Sequence, residues 1–154
     1  MADDTEQLLR RVPLFEGIEP RALAALAALA HPRSYARGEL IFREGEDGVG
    51  MYVIASGRVL VFHERNGVED PIKEEGPGEV FGEISLLVDH PRIASVKAIE
   101  PTTCLIMTAW SFRQALDGSP HLARQMLTHV ARWLVEAEDR SAAIDRKAAA
   151  TAHI

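Results

Sequence analysis

Apolar residues follow a helical period at both ends of the chain and form shorter, strand-like runs in the middle. The segment 21–30 is rich in alanine and leucine. Its leucines recur every three residues, at Leu23, Leu26 and Leu29, which predicts a helix with one buried face. A proline in the first turn and a His-Pro pair at the end fit these bounds. A shorter helix is predicted over residues 5–11.

The middle of the chain has the pattern of short β-strands. Nine of the eleven glycines lie between Gly38 and Gly82, separated by short runs rich in Val, Ile, Tyr and Phe. Such runs are typical of a sandwich or barrel. The Asn-Gly pair at 66–67 predicts a hairpin, and residues 55–58 predict a second one between the strands that flank them. The predicted strands are 40–42, 51–55, 58–63, 69–75, 93–99 and 103–108.

Helical periodicity returns near the C-terminus. A short helix over 111–116 precedes a long one that begins at Ser119-Pro120, because serine caps a helix start and proline fits the first helical position. The apolar pattern fades after Glu138, and the alanine-rich end 147–154 is expected to fray. The apolar stripe of the long helix consists of Leu122, Met126, Leu127, Val130, Trp133, Leu134 and Ala137.

This order of elements predicts one α+β domain. Its centre is an antiparallel β-roll of the jelly-roll or double-stranded β-helix type, flanked by N-terminal helices and a long C-terminal helix. The predicted segments are the N-terminal helical segment 1–32, the β-roll 33–108, the C-terminal helices 109–145 and a tail 146–154.

Composition narrows the class of protein. The 154 residues suffice for one domain with a real core, and 47% of them are hydrophobic. The net charge of -6 argues against a direct nucleic-acid interface, which is usually basic. The single cysteine, Cys104, excludes an intrachain disulfide and cysteine-rich metal sites. The N-terminus lacks the pattern of a signal peptide and no apolar stretch reaches membrane-spanning length, so we expect a cytoplasmic protein without membrane contact.

One acid and one base near the centre of the chain have the chemistry for a phosphorylated ligand. Glu83 follows Gly82 at the end of an apolar segment, and Arg92 comes nine residues later. A guanidinium holds phosphate oxygens with paired hydrogen bonds, and backbone N–H groups at a helix start from Ile84 would add donors. The carboxylate would accept a hydrogen bond from a sugar hydroxyl. The same spacing also fits an ordinary salt bridge between Glu83 and Arg92.

The residues around this pair resemble the cyclic-nucleotide-binding domain family. The phosphate-binding cassette of that family reads approximately Phe-Gly-Glu-Leu-Ala-Leu-Leu, a short gap, then Pro-Arg-Ala-Ala-Thr-Val. Residues 81–87, Phe-Gly-Glu-Ile-Ser-Leu-Leu, and 91–96, Pro-Arg-Ile-Ala-Ser-Val, match it closely. Further similar stretches carry the resemblance from about residue 12 to about residue 134, and they lie at 13–15, 38–42, 44–45, 51–54 and 56–59.

The resemblance implies a role for each position of the cassette, residues 81–95. Glu83 would take the ribose 2′-hydroxyl, Arg92 would pair with the cyclic phosphate, and backbone amides after each would complete the phosphate site. Members that favour cGMP often carry Thr or Ser after the arginine, so Ile93 favours cAMP over cGMP. The implied ligand-binding residues are Phe81, Gly82, Glu83, Ile84, Ser85, Arg92, Ile93, Ala94 and Ser95.

The long C-terminal helix resembles the helix that covers the base in this family. Its residues 131–134, Ala-Arg-Trp-Leu, are similar to the family's Ala-Arg-Arg-Leu stretch. In the next turn, where some members offer hydroxyls to adenine, this chain has Ala137 and Glu138. Arg132 or Trp133 would instead stack over the base. The alternative for Trp133 is a place in the core or in a dimer seam.

These expectations combine into one predicted function. We predict a stand-alone, non-catalytic sensor domain that binds cAMP in preference to cGMP and closes its C-terminal helix to alter a surface for a protein partner or a second copy. The alternatives are a degenerate domain acting as a ligand-independent interaction module, and the sensor half of a transcription regulator without its DNA-binding domain. A metal-dependent enzyme on a similar roll is disfavoured and no cofactor is expected, because the histidines are scattered, at His31, His63, His90, His121, His129 and His153.

Overall fold

The computed structural model describes residues 2–152, and it has helices at both ends of a set of eight strands within that range. A 3₁₀ turn, Pro13–Phe15, separates the first two helices. The helices are α1 Ala2–Arg10, α2 Pro20–Leu29, α3 Ile84–Val88, α4 Ala109–Gly118 and α5 Pro120–Ala152. The strands are β1 His31–Tyr35, β2 Leu40–Phe42, β3 Gly50–Ser56, β4 Val59–Arg65, β5 Val68–Glu75, β6 Val80–Phe81, β7 Ser95–Ala98 and β8 Thr102–Thr108.

Two antiparallel four-stranded sheets form the roll in the described part of the chain. One sheet has the strand order β1-β8-β3-β6, and the other has the order β2-β7-β4-β5. Most neighbours within a sheet are therefore distant in sequence. The predicted fold class, an α+β domain with an antiparallel β-roll between helices, is confirmed.

One predicted hairpin is present and the other is not. Strands β4 and β5 pair with Arg65 opposite Val68, and the Asn-Gly pair between them has φ values of 55° and 78°, as this type of hairpin turn requires. The hairpin predicted at 55–58 is wrong, because β3 pairs with β6 and β8 whereas β4 pairs with β5 and β7. The turn at 55–58 carries the chain from one sheet to the other.

Element bounds differ from the predictions at both ends of the roll. Strand β1 begins at His31, before the predicted start of the roll at residue 33, and only Tyr35 of its five residues is buried. Such an exposed strand has no alternating apolar pattern to reveal it. At the other end, α5 continues to Ala152, so residues 147–152 are helical rather than frayed. The rest of the predicted tail, 153–154, lies outside the described residues.

Two clusters of buried side chains fill the fold. The larger joins the helices to one end of the roll, and it includes Leu9, Phe15, Leu26, Met107, Phe112, Leu122 and Met126. The smaller lies inside the roll, and it includes Tyr52, Ile54, Val59, Phe81, Val96 and Cys104. Among the described residues, no helix is both long and apolar enough to cross a membrane.

Helix α5 enters the larger cluster through its first turns. Ser119 caps the helix as predicted, since its Oγ accepts a hydrogen bond from the backbone N of Leu122 at 3.1 Å. Leu122 and Met126 then bury in the cluster. The sequence pattern places Leu127 and Leu134 in the same apolar stripe, but they are 72% and 56% exposed and lie on the outer face of the helix.

Truncation of Phe112 should destabilise the domain strongly. Its side chain is fully buried in the larger cluster. We expect Phe112→Ala to lower the free energy of unfolding by about 3–5 kcal/mol, measured by chemical denaturation, because it leaves a cavity. The matched control is Trp110→Ala on the same helix, which is 66% exposed and should cost about 0.5 kcal/mol. Equal losses in the two variants would contradict this assignment of the core.

Candidate functional site

The predicted cassette connects β6 to β7 and buries two of its charged residues, Glu83 and Arg92. Gly82 follows β6 in the left-handed region, with φ of 83°. A Cβ at this position would lie 2.8 Å from Nη1 of Arg92, so glycine is required for both backbone conformation and space. Helix α3 follows and ends at Val88, and the next residue, Asp89, caps it with a φ of 50°.

Arg92 is buried and held by backbone carbonyls. Only 4% of the residue is exposed. Its Nη1 donates to the carbonyl oxygen of Gly82 and its Nη2 to that of Gly50, each at 2.7 Å. Burial lowers the pKa of Arg92, and the opposing effects of Tyr52 and Glu83 do not offset this shift. The two carbonyls fix the orientation of the guanidinium at the cavity wall.

Aromatic rings pack around this guanidinium. Its Cζ lies 4.1 Å from the ring centroid of Phe42 and 5.8 Å from that of Tyr52. Tyr52 in turn stacks on Phe81, with the ring centroids 4.8 Å apart. The face of a ring stabilises a cation electrostatically, so these contacts support a charged Arg92 in a buried position.

Glu83 contacts helix α5 rather than Arg92. Glu83 is only 5% exposed, and its Oε1 lies 2.8 Å from Nε2 of His129. Because Arg92 has the carbonyls of Gly50 and Gly82 as partners, the alternative of a direct Glu83–Arg92 salt bridge is wrong. The residue expected to bind a sugar hydroxyl therefore already makes a contact to the covering helix.

A cavity of about 660 Å³ lies between the cassette, strands β4 and β5, and α5. Ser95 does not line it, because its side chain is fully buried and its Oγ accepts a hydrogen bond from the backbone N of Glu44 at 2.9 Å. Trp133 lines this cavity and also a smaller one of about 240 Å³, whereas Arg132 lines only the smaller one. The cassette residues on the main cavity are Phe81, Gly82, Glu83, Ile84, Ser85, Arg92, Ile93 and Ala94.

Several residues at the site were not predicted from the sequence. Lys73 and Glu75 line both cavities from β5. Arg140 and Ser141 line the main one from α5, one turn beyond Ala137 and Glu138. His129 belongs to the scattered histidines and carries no binding motif in the sequence. Side chains two residues apart on a strand lie on the same face, so the sequence indicates that Lys73 and Glu75 share one face of β5. It does not indicate that this face is buried, because an acid rarely occupies a buried position.

Lys73 and Glu75 form an ion pair beneath α5, in which Glu75 is buried and Lys73 is half-buried. Nζ of Lys73 lies 2.9 Å from Oε1 of Glu75 and 3.8 Å from Oε2 of Glu136 on α5. Burial raises the pKa of Glu75 to about 7, although Lys73 opposes this shift. Burial lowers the pKa of Lys73, but Glu75 and Glu136 outweigh it and leave that pKa raised.

The histidines do not gather into a metal site in the described part of the chain. No group of three or more His, Cys, Asp or Glu residues there has the arrangement to hold a metal ion. His63 pairs with Glu44 at 2.8 Å, and His121 contacts the backbone oxygen of Glu16 at 2.9 Å. His153 lies outside the described residues.

The pKa of Glu75 predicts a pH-dependent cost to stability. Its carboxyl has a pKa of about 7 when folded, raised from 4.5, so between these pH values the folded protein keeps a proton that the unfolded chain releases. The free energy of unfolding of the wild type should therefore fall across that range, by up to about 3 kcal/mol from this group.

We expect the free energy of unfolding of Glu75→Gln not to decrease in this way. It should therefore increase relative to that of the wild type as the pH rises towards about 8. Chemical denaturation over a pH series measures the difference. Glu74→Gln is the control, because the neighbouring Glu74 side chain is 51% exposed and pairs with Arg58 at 3.2 Å. A constant difference between wild type and Glu75→Gln at all pH values would contradict the prediction.

Known proteins are similar to this chain in sequence and in architecture. The sequence model of the family described as "Cyclic nucleotide-binding domain" matches residues 32–119. A CRP-like cAMP-activated global transcriptional regulator of Mycobacterium tuberculosis is 33% identical over 130 residues, which cover 84% of this chain and 58% of that protein. A cyclic AMP receptor protein of Thermus thermophilus is 35% identical over 127 residues, covering 82% of this chain and 59% of that protein.

A solved structure agrees with the sequence comparison. The crystal structure of Thermus thermophilus Catabolite Activator Protein superimposes with a TM-score of 0.77 and 33% identity, covering 86% of this chain and 63% of that one. The chain thus spans less than two thirds of the length of these relatives. Because the family match covers more than half of the chain and includes the whole cassette, the chain belongs to the cyclic nucleotide-binding domain family.

Proposed function

We propose that this domain is a sensor that binds cAMP in the 660 Å³ cavity and transmits binding through α5. The observation that carries the proposal is the placement of buried Arg92 and buried Glu83 on one cavity wall with α5 on another. The volume lies in the range of about 300–1,000 Å³ that is usual for small-molecule sites. The proposed role is binding rather than catalysis, in keeping with the regulatory names of the relatives.

The cyclic phosphate would bind at Arg92. One guanidinium has five N–H donors, and the two carbonyl contacts of Arg92 use two of them. Donors among the remaining three would bind phosphate oxygens, together with backbone N–H groups at the start of α3. A fixed, buried cation loses little conformational entropy when it binds an anion, which favours recognition of the phosphate.

The ribose would bind at Glu83 and compete with His129. The carboxylate accepts a hydrogen bond from the 2′-hydroxyl in exchange for the 2.8 Å contact to Nε2 of His129. Binding thereby alters a contact that holds α5 to the roll, and the populations of helix positions shift. Ile93 lines the cavity without a hydroxyl, which supports our preference for cAMP over cGMP.

The responding surface would be the outer face of α5. Leu127 and Leu134 lie seven residues apart on this face and are 72% and 56% exposed. Val135 beside them is 59% exposed. We propose that this apolar face meets a protein partner or the same face of a second copy, as in a two-helix seam.

A ligand-independent interaction module is the second candidate. The observation that favours it is that the carbonyls of Gly50 and Gly82 already bind Arg92 and that His129 already binds Glu83. A wild-type protein that binds no cyclic nucleotide in calorimetry but sediments as a dimer would support this candidate over the first.

Removal of the Arg92 side chain should weaken cAMP binding. We expect Arg92→Ala to lose about 1.5–3 kcal/mol, roughly tenfold to more than a hundredfold in the dissociation constant, because a charge-assisted contact to phosphate is lost. Isothermal titration calorimetry with cAMP and cGMP measures this loss. The control is Arg113→Ala, since Arg113 also donates to a cassette carbonyl, that of Leu86 at 2.7 Å, but does not line the cavity.

Two results of this titration would count against the proposal. If the wild type binds neither nucleotide, the sensor function is wrong. If Arg92→Ala binds cAMP as well as the wild type does, Arg92 is not the phosphate-binding residue. Thermal melts of both arginine variants establish that each is folded before it is titrated.

Removal of the His129 side chain should strengthen cAMP binding. Without the competing contact to Glu83, the ribose hydroxyl no longer displaces a hydrogen bond, so we expect His129→Ala to gain about 1 kcal/mol, roughly fivefold in affinity. The gain should disappear when the titrant is 2′-deoxy-cAMP, which has no hydroxyl for Glu83.

The control for this prediction is a second histidine on the same helix. His121→Ala removes a contact between α5 and the backbone of Glu16, away from the cavity, and should leave cAMP affinity unchanged. Weaker binding by His129→Ala would mean that His129 holds Glu83 in place for the ligand and does not compete with it.

A further inference from the structure

The proposed function leaves one buried acid of the cavity wall without a role. Glu75 is the last residue of β5, it is 4% exposed, and it lines both the main cavity and the smaller one beneath α5. A buried carboxyl group is costly unless its oxygens are paired, so its presence in a cavity wall calls for a partner.

Only one oxygen of this carboxyl has a partner in the described chain. Oε1 lies 2.9 Å from Nζ of Lys73. Oε2 is buried and receives no hydrogen bond from any residue between 2 and 152. Above its pKa of about 7 the carboxyl group of Glu75 is ionised, and a carboxylate is an acceptor at both oxygens. Oε2 is therefore a buried acceptor on the wall of a cavity that has the size of a ligand site.

The position of Glu75 corresponds to the base rather than to the phosphate or the sugar. Arg92 would hold the phosphate and Glu83 the ribose hydroxyl, so the base must extend from Glu83 into the remainder of the cavity. That remainder is bounded by β5 and by α5, and Lys73 and Glu75 of β5 line the same cavity as Glu83.

We propose that Glu75 is a specificity-determining residue whose Oε2 accepts a hydrogen bond from the exocyclic amino group of adenine. Lys73 contacts both Oε1 of Glu75 and Oε2 of Glu136 on α5. A base bound at Glu75 would therefore lie next to the ion pairs that attach this helix to the roll. The inference rests on the proposed function, because it requires a cyclic nucleotide in the main cavity.

The test compares cAMP with the 3′,5′-cyclic monophosphate of purine riboside, which lacks only the amino group. In calorimetry at about pH 8, where the Glu75 carboxyl group is mostly ionised, we expect the wild type to prefer cAMP by about tenfold or more, because the amino group meets a buried, charged acceptor. Glu75→Leu, which removes the acceptor with little change in volume, should bind the two nucleotides alike. Glu75→Gln keeps one amide oxygen and should retain part of the preference.

A matched control lies next to Glu75 on the same strand. Glu74→Leu changes a side chain that is 51% exposed and absent from both cavities, so it should keep the preference of the wild type. Thermal melts of all variants establish folding, and Glu75→Gln provides the acceptor test if Glu75→Leu does not fold.

The outcomes separate this inference from the function on which it rests. A wild type that binds neither nucleotide overturns both. A wild type that binds the two nucleotides equally, with affinity that Arg92→Ala reduces, overturns the role of Glu75 alone. A loss of affinity for both nucleotides to the same extent in Glu75→Leu also overturns it. A loss confined to cGMP in that variant would overturn the assignment to adenine.

Discussion

The burial of the Arg92 guanidinium is the constraint on which the cassette depends. A charge that is 4% exposed must have its donors paired, and the carbonyls of Gly50 and Gly82 pair two of them. These bonds tie the start of β3 to the end of β6 and fix the loop that delivers Arg92. Gly48 and Gly82 leave the necessary space, since a Cβ at either position would lie 2.8 Å from an atom of the guanidinium group.

Helix α5 is attached to the roll by two kinds of contact. Leu122 and Met126 bury apolar surface at the start of the helix. A polar ligand cannot replace such contacts. Further along, His129 meets Glu83, and Glu136 meets Lys73, through hydrogen bonds or ion pairs. A ligand hydroxyl replaces a hydrogen bond at a small net change in free energy. The start of the helix is therefore firmly fixed, and its middle is the part that a ligand is able to influence.

Local signals account for the elements of the fold but not for their pairing. The Asn66-Gly67 turn was predictable because two residues suffice to set its backbone angles. The sequence at 55–58 also favours a tight turn, but the strands on either side of it belong to different sheets, because β3 pairs with β6 and β8 and not with β4. The polar strand β1 escaped prediction, since Tyr35 is its only buried residue.

The sequence by itself determined the family, the helix–roll–helix order and the cassette that brings Glu83 and Arg92 to one cavity. Tertiary structure alone decided what these side chains meet. His129 is 46 residues from Glu83 in sequence, and the inward position of Glu75 depends on how its sheet and α5 pack together. Turn and helix preferences arise from neighbours within a few residues, whereas contacts between distant segments exist only after the sheets and α5 have packed.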